Sequence, residues 1–406
     1  MRRGILLLFV ALLAAGLAGC PPPSDSGGGE SGGGSPGGGG GAPTGGNTSA
    51  GGGSGGSIKF GVYGDLTGDT ATFGQSMKKG VELAVDEINR KPPLGRTVEV
   101  LMEDDAGKPQ QATSVVTKLL TEGQVHAVIG EVASTNSLAA APKCQAASIP
   151  MVTPASTNPQ VTEVGDYIFR ICFIDPFQGS VMAKFAINTL KKKRAAILFD
   201  QNSDYSKGLS KFFRDTYTQS GGHIVSEKAY SKGDTDFNGQ LNAIKTANPD
   251  VLFVPGYYTE VGTIARQARD LGITAPLLGG DGWDSPKLFE GAGDKLEGCY
   301  FSNHYSSESK DERIVKFIDA FKQKYNGEIP DAMAALAYDT AMILADAVQR
   351  AGGTEGAKLR DAIAATRDFA GVTGKITLDQ DRNATKPAVV LQITGEKFKY
   401  VETVQP

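Results

Sequence analysis

From Ile58 to Leu278 short apolar strands alternate with amphipathic helical stretches, and that alternation limits the fold more than any other feature of the chain. Ile58, Phe60 and Val62 alternate apolar with other residues, as a half-buried strand does. Met77, Val81, Ala84, Val85 and Ile88 then fall at helical spacing, and Pro92-Pro93 stop that helix. Val98, Val100 and Met102 predict a second strand. Pro109 suits a helix start, with Val115, Val116, Leu119 and Leu120 as its buried face. A third strand over Val125–Ile129 leads into a helix of small residues from Ser134 to Ala147. The pattern continues with strands at Met151–Val152, Tyr167–Phe173, Ala195–Phe199, His223–Ala229, Val251–Val254 and Leu277–Leu278. The intervening helices are Pro176–Leu190, Tyr205–Gln219, Phe237–Ala247 and Val261–Leu271. The last third is more helical, with Asp311–Tyr325, Asp331–Ala351 and Glu355–Ala365, and closes on short strands at Lys375–Leu378 and Ala388–Ile393. Alternation of this kind builds parallel sheets covered by helices on both faces, so the fold class is α/β.

The 57 residues before this body have a different character. Cys20 to Ser57 holds 18 of the chain's 53 glycines, five prolines, no aromatic residue and only Asp25 and Glu30 as charges. Such a stretch cannot bury enough apolar surface to offset its ordering entropy, so residues 20–57 are expected to be a tether with an end-to-end distance of roughly 35 Å. Ahead of it, Arg2-Arg3, an apolar run from Ile5 to about Ala18 and the string Leu17-Ala18-Gly19-Cys20 have the form of a signal peptide over residues 1–19. The small residues before the cysteine resemble a bacterial lipobox, which implies lipidation at Cys20. The run is short of the about 20 apolar residues a membrane span needs. Beyond the tether 406 − 57 leaves 349 residues, more than one core supports, so two lobes are expected. The body carries the whole net charge of −4, and no concentrated basic face points to nucleic acid.

Catalytic patterns give little. GxSxG around Ser35 and Ser54, and GxGxxG at Gly51, Gly53 and Gly56, all lie in the low-complexity tether, where no strand-turn-helix presents them. His126, His223 and His304 show no metal-ligand spacing, and His126 and His223 read as exposed strand starts. Asp104-Asp105 fits a metal or acid-base pair, but a polar strand end is favoured. Cys144, Cys172 and Cys299 form no CxxC pair, allow at most one bridge and do not say which. No enzyme, metal or cofactor is expected.

The strand ends carry a more coherent signal, because ligands of open α/β sheets bind beyond the carboxyl ends of strands. Ala133-Ser134-Thr135-Asn136-Ser137 opens a helix there, offering N–H groups and hydroxyls to an anion. Thr153-Pro154-Ala155-Ser156-Thr157 adds hydroxyls and a carbonyl. Asp200 with Tyr205, then Gly256-Tyr257-Tyr258, then Gly279-Gly280-Asp281-Gly282-Trp283 follow later strands. Donors in one lobe facing an acid and tyrosines in the other suit a zwitterion, with Asp281 meeting the ammonium.

The order of several strings is similar to the branched-chain amino-acid receptors among the type I periplasmic binding proteins. They are Leu66-Thr67-Gly68 with Phe73-Gly74-Gln75, Leu83-Ala84-Val85-Asp86-Glu87-Ile88-Asn89, Val128-Ile129-Gly130, Thr153-Pro154-Ala155-Ser156-Thr157 and Phe169-Arg170. Asp236-Phe237, Arg266-Gln267-Ala268 and Asp281-Gly282 continue the series. The resemblance covers about residues 58 to 395. It implies two doubly wound parallel-sheet lobes joined by a hinge, lobe 1 from 58–175 and 305–385 and lobe 2 from 176–304 and 386–406. It implies that Ser134 and Thr157 receive a ligand carboxylate and that Ala155 offers its carbonyl to the ammonium. Phe73 would shape the side-chain pocket, Tyr205 and Tyr257 would close over the ligand, and Asp281 would pair with the ammonium where many relatives carry glutamate. Tyr63, Thr135, Ser156, Tyr258 and Trp283 are further pocket candidates. A disulfide of some relatives is absent, since its positions are Gly107 and Ala133.

The expected function is therefore capture of an amino acid, branched-chain or otherwise small and aliphatic, by a lipid-anchored monomer outside the cytoplasm. The expected partner is the membrane permease of an ABC importer. The alternatives are an amide, urea or aromatic-acid ligand on the same fold, or a sensor for a receptor.

Overall fold

The structure, a computed structural model, describes residues 56–406. The expected signal peptide, Cys20 and all of the tether before Gly56 lie outside the described residues.

The body begins with β1 (Ile58–Gly64), α1 (Ala71–Ile88), β2 (Val98–Asp104), α2 (Pro109–Thr121), β3 (Ala127–Ile129), α3 (Ser134–Ala147), β4 (Met151–Thr153), α4 (Gln160–Glu163) and β5 (Ile168–Arg170). The five strands make one parallel sheet in the order β2-β1-β3-β4-β5. The chain then crosses to α5 (Asp175–Lys184), extended by a π turn over Phe185–Thr189. A second alternation follows: β6 (Arg194–Asp200), α6 (Asp204–Gln219), β7 (His223–Tyr230), α7 (Asn238–Ala247), β8 (Val251–Phe253), α8 (Tyr258–Asp270), β9 (Leu277–Gly279), α9 (Leu288–Ala292) and β10 (Tyr300–Asn303). It crosses back into α10 (Glu312–Lys324), α11 (Ala332–Ala351) and α12 (Gly356–Ala364), then the short strands β11 (Phe369–Gly371), β12 (Gly374–Leu378) and β13 (Ala384–Thr385). A last crossing delivers β14 (Ala388–Thr394) and β15 (Lys397–Val404) to the second sheet, ordered β15-β14-β10-β9-β8-β6-β7. That sheet is parallel up to β10 and antiparallel at β14 and β15.

Strand alternation divides the core. Ile58, Phe60 and Val62 face the cluster that includes Met77 and Val81 of α1, while Tyr63 points the other way, among Val116 and Leu119 of α2 and Cys144 of α3. Helix α11 packs along α1 and so belongs to the first sheet's side. Gly74 is needed where α1 meets the loop after β1, because a Cβ there would lie 2.0 Å from the Asp65 carbonyl oxygen.

Several expected boundaries move. The apolar run Tyr167–Phe173 yields a strand of only three residues, since Ile171, Cys172 and Phe173 are buried in the crossing rather than in the sheet. Helix α8 starts at Tyr258, three residues before the expected Val261. Strands β10 and β15 are additional; β15 lies at the sheet edge with mostly half-exposed side chains and therefore lacks a continuous apolar run. Cys144, Cys172 and Cys299 are buried and free, so none of them is bridged.

Candidate functional site

The carboxyl ends of the two sheets face each other, and contacts cross between them. The Tyr258 hydroxyl donates to the Asp69 carbonyl at 3.2 Å, Asp204 N–H donates to Thr135 Oγ1 at 3.0 Å, and the Lys232 ammonium donates to the Gly107 carbonyl at 3.2 Å. The residues flanking this closed cleft are almost all buried.

The first wall is built by two short segments. Helix α3 begins directly after the loop that follows β3, placing Ser134 and Thr135 at its positive end. Ser134 Oγ accepts from Asn158 N–H at 3.3 Å. After β4 the Thr153 hydroxyl oxygen accepts from the N–H groups of Ala155 and Ser156, at 3.3 and 2.9 Å, which folds the segment back on itself. Ser156 is spent internally: its Oγ lies 2.7 Å from Ser137 Oγ and donates to the Glu131 carbonyl at 2.8 Å. Thr157 is different. Its Oγ1 is buried with no hydrogen-bond partner.

The second wall converges on one carboxylate. Asp281 Oδ1 accepts from the Tyr205 hydroxyl at 3.0 Å, and that hydroxyl oxygen accepts from Gly282 N–H at 3.2 Å. Asp281 Oδ2 lies 2.9 Å from His304 Nε2. Asp281 N–H donates to Gln178 Oε1 at 2.9 Å. Burial pushes the His304 pKa down, so the ring is neutral; its Nδ1 has no partner, which places the proton on Nε2, donating to Asp281. Phe173, in the first crossing, stacks on this imidazole with centroids 3.8 Å apart. Glycine is required at 280, where a Cβ would approach the Tyr205 hydroxyl to 2.5 Å and Gln178 Oε1 to 2.8 Å. Aromatic rings connect the walls: Tyr205 stacks on Tyr257 at 5.1 Å, and Phe73 meets Tyr257 and Tyr258 edge-on at 5.7 and 4.9 Å. Burial raises the Tyr205 and Tyr257 pKa values well above the usual phenol range, so both remain neutral hydroxyls.

Of the expected residues, the structure thus brings together Phe73, Tyr205, Tyr257, Tyr258 and Asp281, and sets Ser134, Thr135, Ala155, Ser156 and Thr157 along the opposing wall. It does not bring Tyr63 or Trp283 there. The Tyr63 hydroxyl turns toward Met151 Sδ at 3.7 Å, because alternation along β1 places it on the face opposite Val62. The Trp283 indole N–H donates to the Val254 carbonyl at 3.0 Å inside the second lobe's core.

Asp175, Gln178 and His304 escaped the sequence reading. Asp175 stands one residue before the expected helix start at Pro176; Ile174 is the N-cap, and Asp175 N–H donates to the Thr157 carbonyl at 3.0 Å. Both Asp175 carboxylate oxygens, like the Gln178 amide nitrogen, are buried without a hydrogen-bond partner. Burial, reinforced by the nearby Asp281 charge, pushes this carboxyl up to about 8. His304 was missed because it follows β10, a strand of four residues with weak alternation; a buried histidine just beyond a strand end was the available signal. His126 is half-buried, its Nδ1 accepting from Lys59 N–H at 2.9 Å, whereas His223 is exposed at the start of β7.

The Thr157 hydroxyl and the Gln178 amide face the Asp175 carboxyl and lower its pKa against the effect of burial, but none of the three meets another at hydrogen-bond distance. Unpaired buried polar groups cost about 1–3 kcal/mol each, so the trio favours a polar guest. Neutral hydroxyl donors and a helix N-terminus on one side, with two carboxyls on the other, match a small molecule carrying an anionic and a cationic end. Asp104 and Asp105 close the turn after β2, accepting from the N–H groups of Leu66, Ala106 and Gly107. No cluster of potential metal ligands occurs among the described residues.

A model of the periplasmic binding protein family matches residues 57–397. The chain is 32% identical over 338 residues to the Leu/Ile/Val-binding protein BraC3 of Rhizobium johnstonii, covering 82% of this chain and 90% of that protein. Among solved structures it is similar to the leucine-binding protein LivK of Thermotoga maritima, with a TM-score of 0.83, 39% identity, and 86% of this chain and 99% of that one covered. It is also similar to the branched-chain amino-acid transporter substrate-binding protein LivJ of Streptococcus pneumoniae, solved with isoleucine. There the TM-score is 0.82, the identity 36%, and the coverage 86% and 100%.

Proposed function

The chain belongs to the periplasmic binding protein family, a family of non-enzymatic solute-binding proteins, and from that premise we propose that it captures an aliphatic amino acid for an ABC importer. The observation that carries this reading is the Asp281 carboxylate, fixed by Tyr205 and His304 opposite the unpartnered Thr157 hydroxyl. The ligand carboxylate lies against Ser134 and Thr157 at the start of α3. The ammonium meets the Ala155 carbonyl, Asp281 and Asp175, and the side chain packs against Phe73 and Tyr257. The Asp281 carboxylate at the ammonium end disfavours amides, ureas and aromatic acids, which lack a cation to meet it.

Ligand contacts on both walls favour the closed over the open arrangement, and the closed form is what the permease engages. Lobe 1 would comprise 58–175 and 305–385, and lobe 2 176–304 and 386–406; the chain crossings after β5, β10 and β13 support this division. Residues 1–19 would be removed on export. Lipidated Cys20 and the tether to Ser57 would then hold a monomeric body near the membrane; the Leu17-Ala18-Gly19-Cys20 string supports that anchoring.

Calorimetric titration with leucine, isoleucine, valine and alanine, beside benzoate and acetamide, tests the reading. At least one aliphatic amino acid should bind and raise the melting temperature. A protein stabilised only by benzoate or acetamide would overturn it.

A further inference from the structure

One contact across the cleft brings a carboxyl group to a helix start that a second carboxyl group caps. Asp284, just beyond the 3-10 turn Asp281–Trp283 on the second-sheet side, accepts through Oδ2 from Ala332 N–H at 2.7 Å and from Asn303 Nδ2 at 2.9 Å. Ala332 is the first residue of α11, on the first-sheet side. The N-cap of that helix is Asp331, whose Oδ1 accepts from Ala334 N–H at 2.9 Å and whose Oδ2 accepts from Ser76 of α1 at 2.5 Å. One helix start thus receives a carboxyl group from each side of the cleft, its own cap and one from across the cleft. A second bond nearby, Thr72 Oγ1 to Ser285 Oγ at 3.1 Å, closes the same rim.

Burial raises the pKa of both carboxyls, and the Asp284 charge adds to the rise at Asp331, which reaches about 7. The Asp281 carboxylate adds to the load on Asp284, and Glu328, ion-paired with Lys79 at 2.6 Å, adds to that on Asp331. The Tyr305 phenol beside both is buried and neutral. Glu308, Lys322, Glu396 and Lys397 line the adjoining cavity, two charges of each sign.

We propose that Asp284 is a positioning residue for cleft closure, and that Asp284 and Asp331 together make closure take up a proton. Opening would part Asp284 from α11 and return both carboxyls to water, where an aspartate titrates near 3.9. Between that value and the raised values of the closed form, the closed protein holds more protons than the open one. Closure is therefore favoured at low pH, and that preference is lost as pH rises through the closed-form values. Where ligand binding is linked to closure, affinity follows the same direction; this part rests on the function proposed above.

The test places spin labels at exposed Gln111 of α2 and Gln219 of α6 in the full chain and reads their separation from about pH 5 to about pH 9. In the ligand-free wild type the closed fraction should grow as pH falls, by up to about tenfold in the closed-to-open ratio per pH unit. In Asp331→Asn that growth should be clearly smaller, because any share from Asp175 is common to both proteins and only the Asp284–Asp331 share is lost. Calorimetry with leucine, in buffers of different ionisation enthalpy, should show more proton uptake per bound leucine in wild type than in Asp331→Asn. That difference also cancels any proton released by Asp175, which both proteins share. Asp284→Asn, which keeps an acceptor for Ala332 N–H, should behave as Asp331→Asn does and serves if the latter does not fold. Identical pH profiles in wild type and variant overturn the proposal. If leucine does not bind at any pH, the proposed function is what suffers, and the label distances still decide the latch.

Discussion

The two walls of the cleft are made in opposite ways. The first draws Ser134, Thr135, Ala155, Ser156 and Thr157 from two stretches only 23 positions apart at their extremes, and Ser134 and Ser156 bond backbone of that same wall. The second gathers Gln178, Tyr205, Asp281 and His304 from segments 126 positions apart at their extremes; Tyr205 and His304 bond the Asp281 carboxylate, and Gln178 accepts from its backbone N–H. A wall of many neutral groups is set by the local path of the chain and spreads its contribution. A wall organised around one charge is set by long-range assembly and concentrates it. Single substitutions should therefore cost unequal amounts on the two sides.

The largest loss is expected at Asp281. Replacing it by alanine leaves the ligand ammonium, the Tyr205 hydroxyl and the His304 ring without their shared partner, a loss of about 3–5 kcal/mol, more than about a hundredfold in Kd. Titration with the best-binding amino acid checks this; a Kd within about fivefold of wild type would erase the distinction between the walls. Thr157→Ala comes next, on the other wall, because this hydroxyl alone among the first-wall side chains is buried without a partner and free for the ligand. Its removal should cost about 1–3 kcal/mol of affinity while leaving the melting temperature near that of wild type. Ser156→Ala should do the reverse, lowering the melting temperature more than the affinity, since Ser156 is committed to Ser137 and Glu131. Tyr205→Phe removes one donor from Asp281 but leaves His304, so about 1 kcal/mol, roughly fivefold in Kd, is expected. A Tyr205→Phe loss as large as that of Asp281→Ala would mean that the carboxylate cannot hold its orientation without the phenol.

The same asymmetry explains what could be read in the sequence. Strand-helix alternation makes the two parallel sheets legible, because side-chain periods of 2 and 3.6 are local properties. The first wall is legible for the same reason: a helix start after β3 and a hydroxyl-rich loop after β4 each announce themselves within five residues. Asp281 is legible as an acid among glycines. The atoms that steady it are not. His304 acquires a role only when β10 inserts between β9 and β14, and Asp175 only when α5 is turned so that its first residue points inward. Neither event leaves a periodic trace. Tyr63 and Trp283 fail in the opposite sense: both stand next to site loops in sequence, and both are taken by the core, Tyr63 on the far face of β1 and Trp283 through its bond to the Val254 carbonyl.

Tyr63 supplies the smallest expected effect and the finest check on where the first wall ends. Its side chain is fully buried; the hydroxyl makes a weak contact to a thioether sulfur at 3.7 Å and lies near the Ser137 hydroxyl. Tyr63→Phe keeps the ring that packs against Val116 and Leu119 and removes only that hydroxyl. Since no charged group is exposed by the change, stability should shift by less than about 0.5 kcal/mol and ligand affinity by less than about twofold. Conversely, a Tyr63→Phe variant with intact melting behaviour but a tenfold weaker Kd would show that the ligand reaches past Phe73 to the end of β1. The first wall would then be a deep pocket rather than the neutral rim that Ser134 and Thr157 describe.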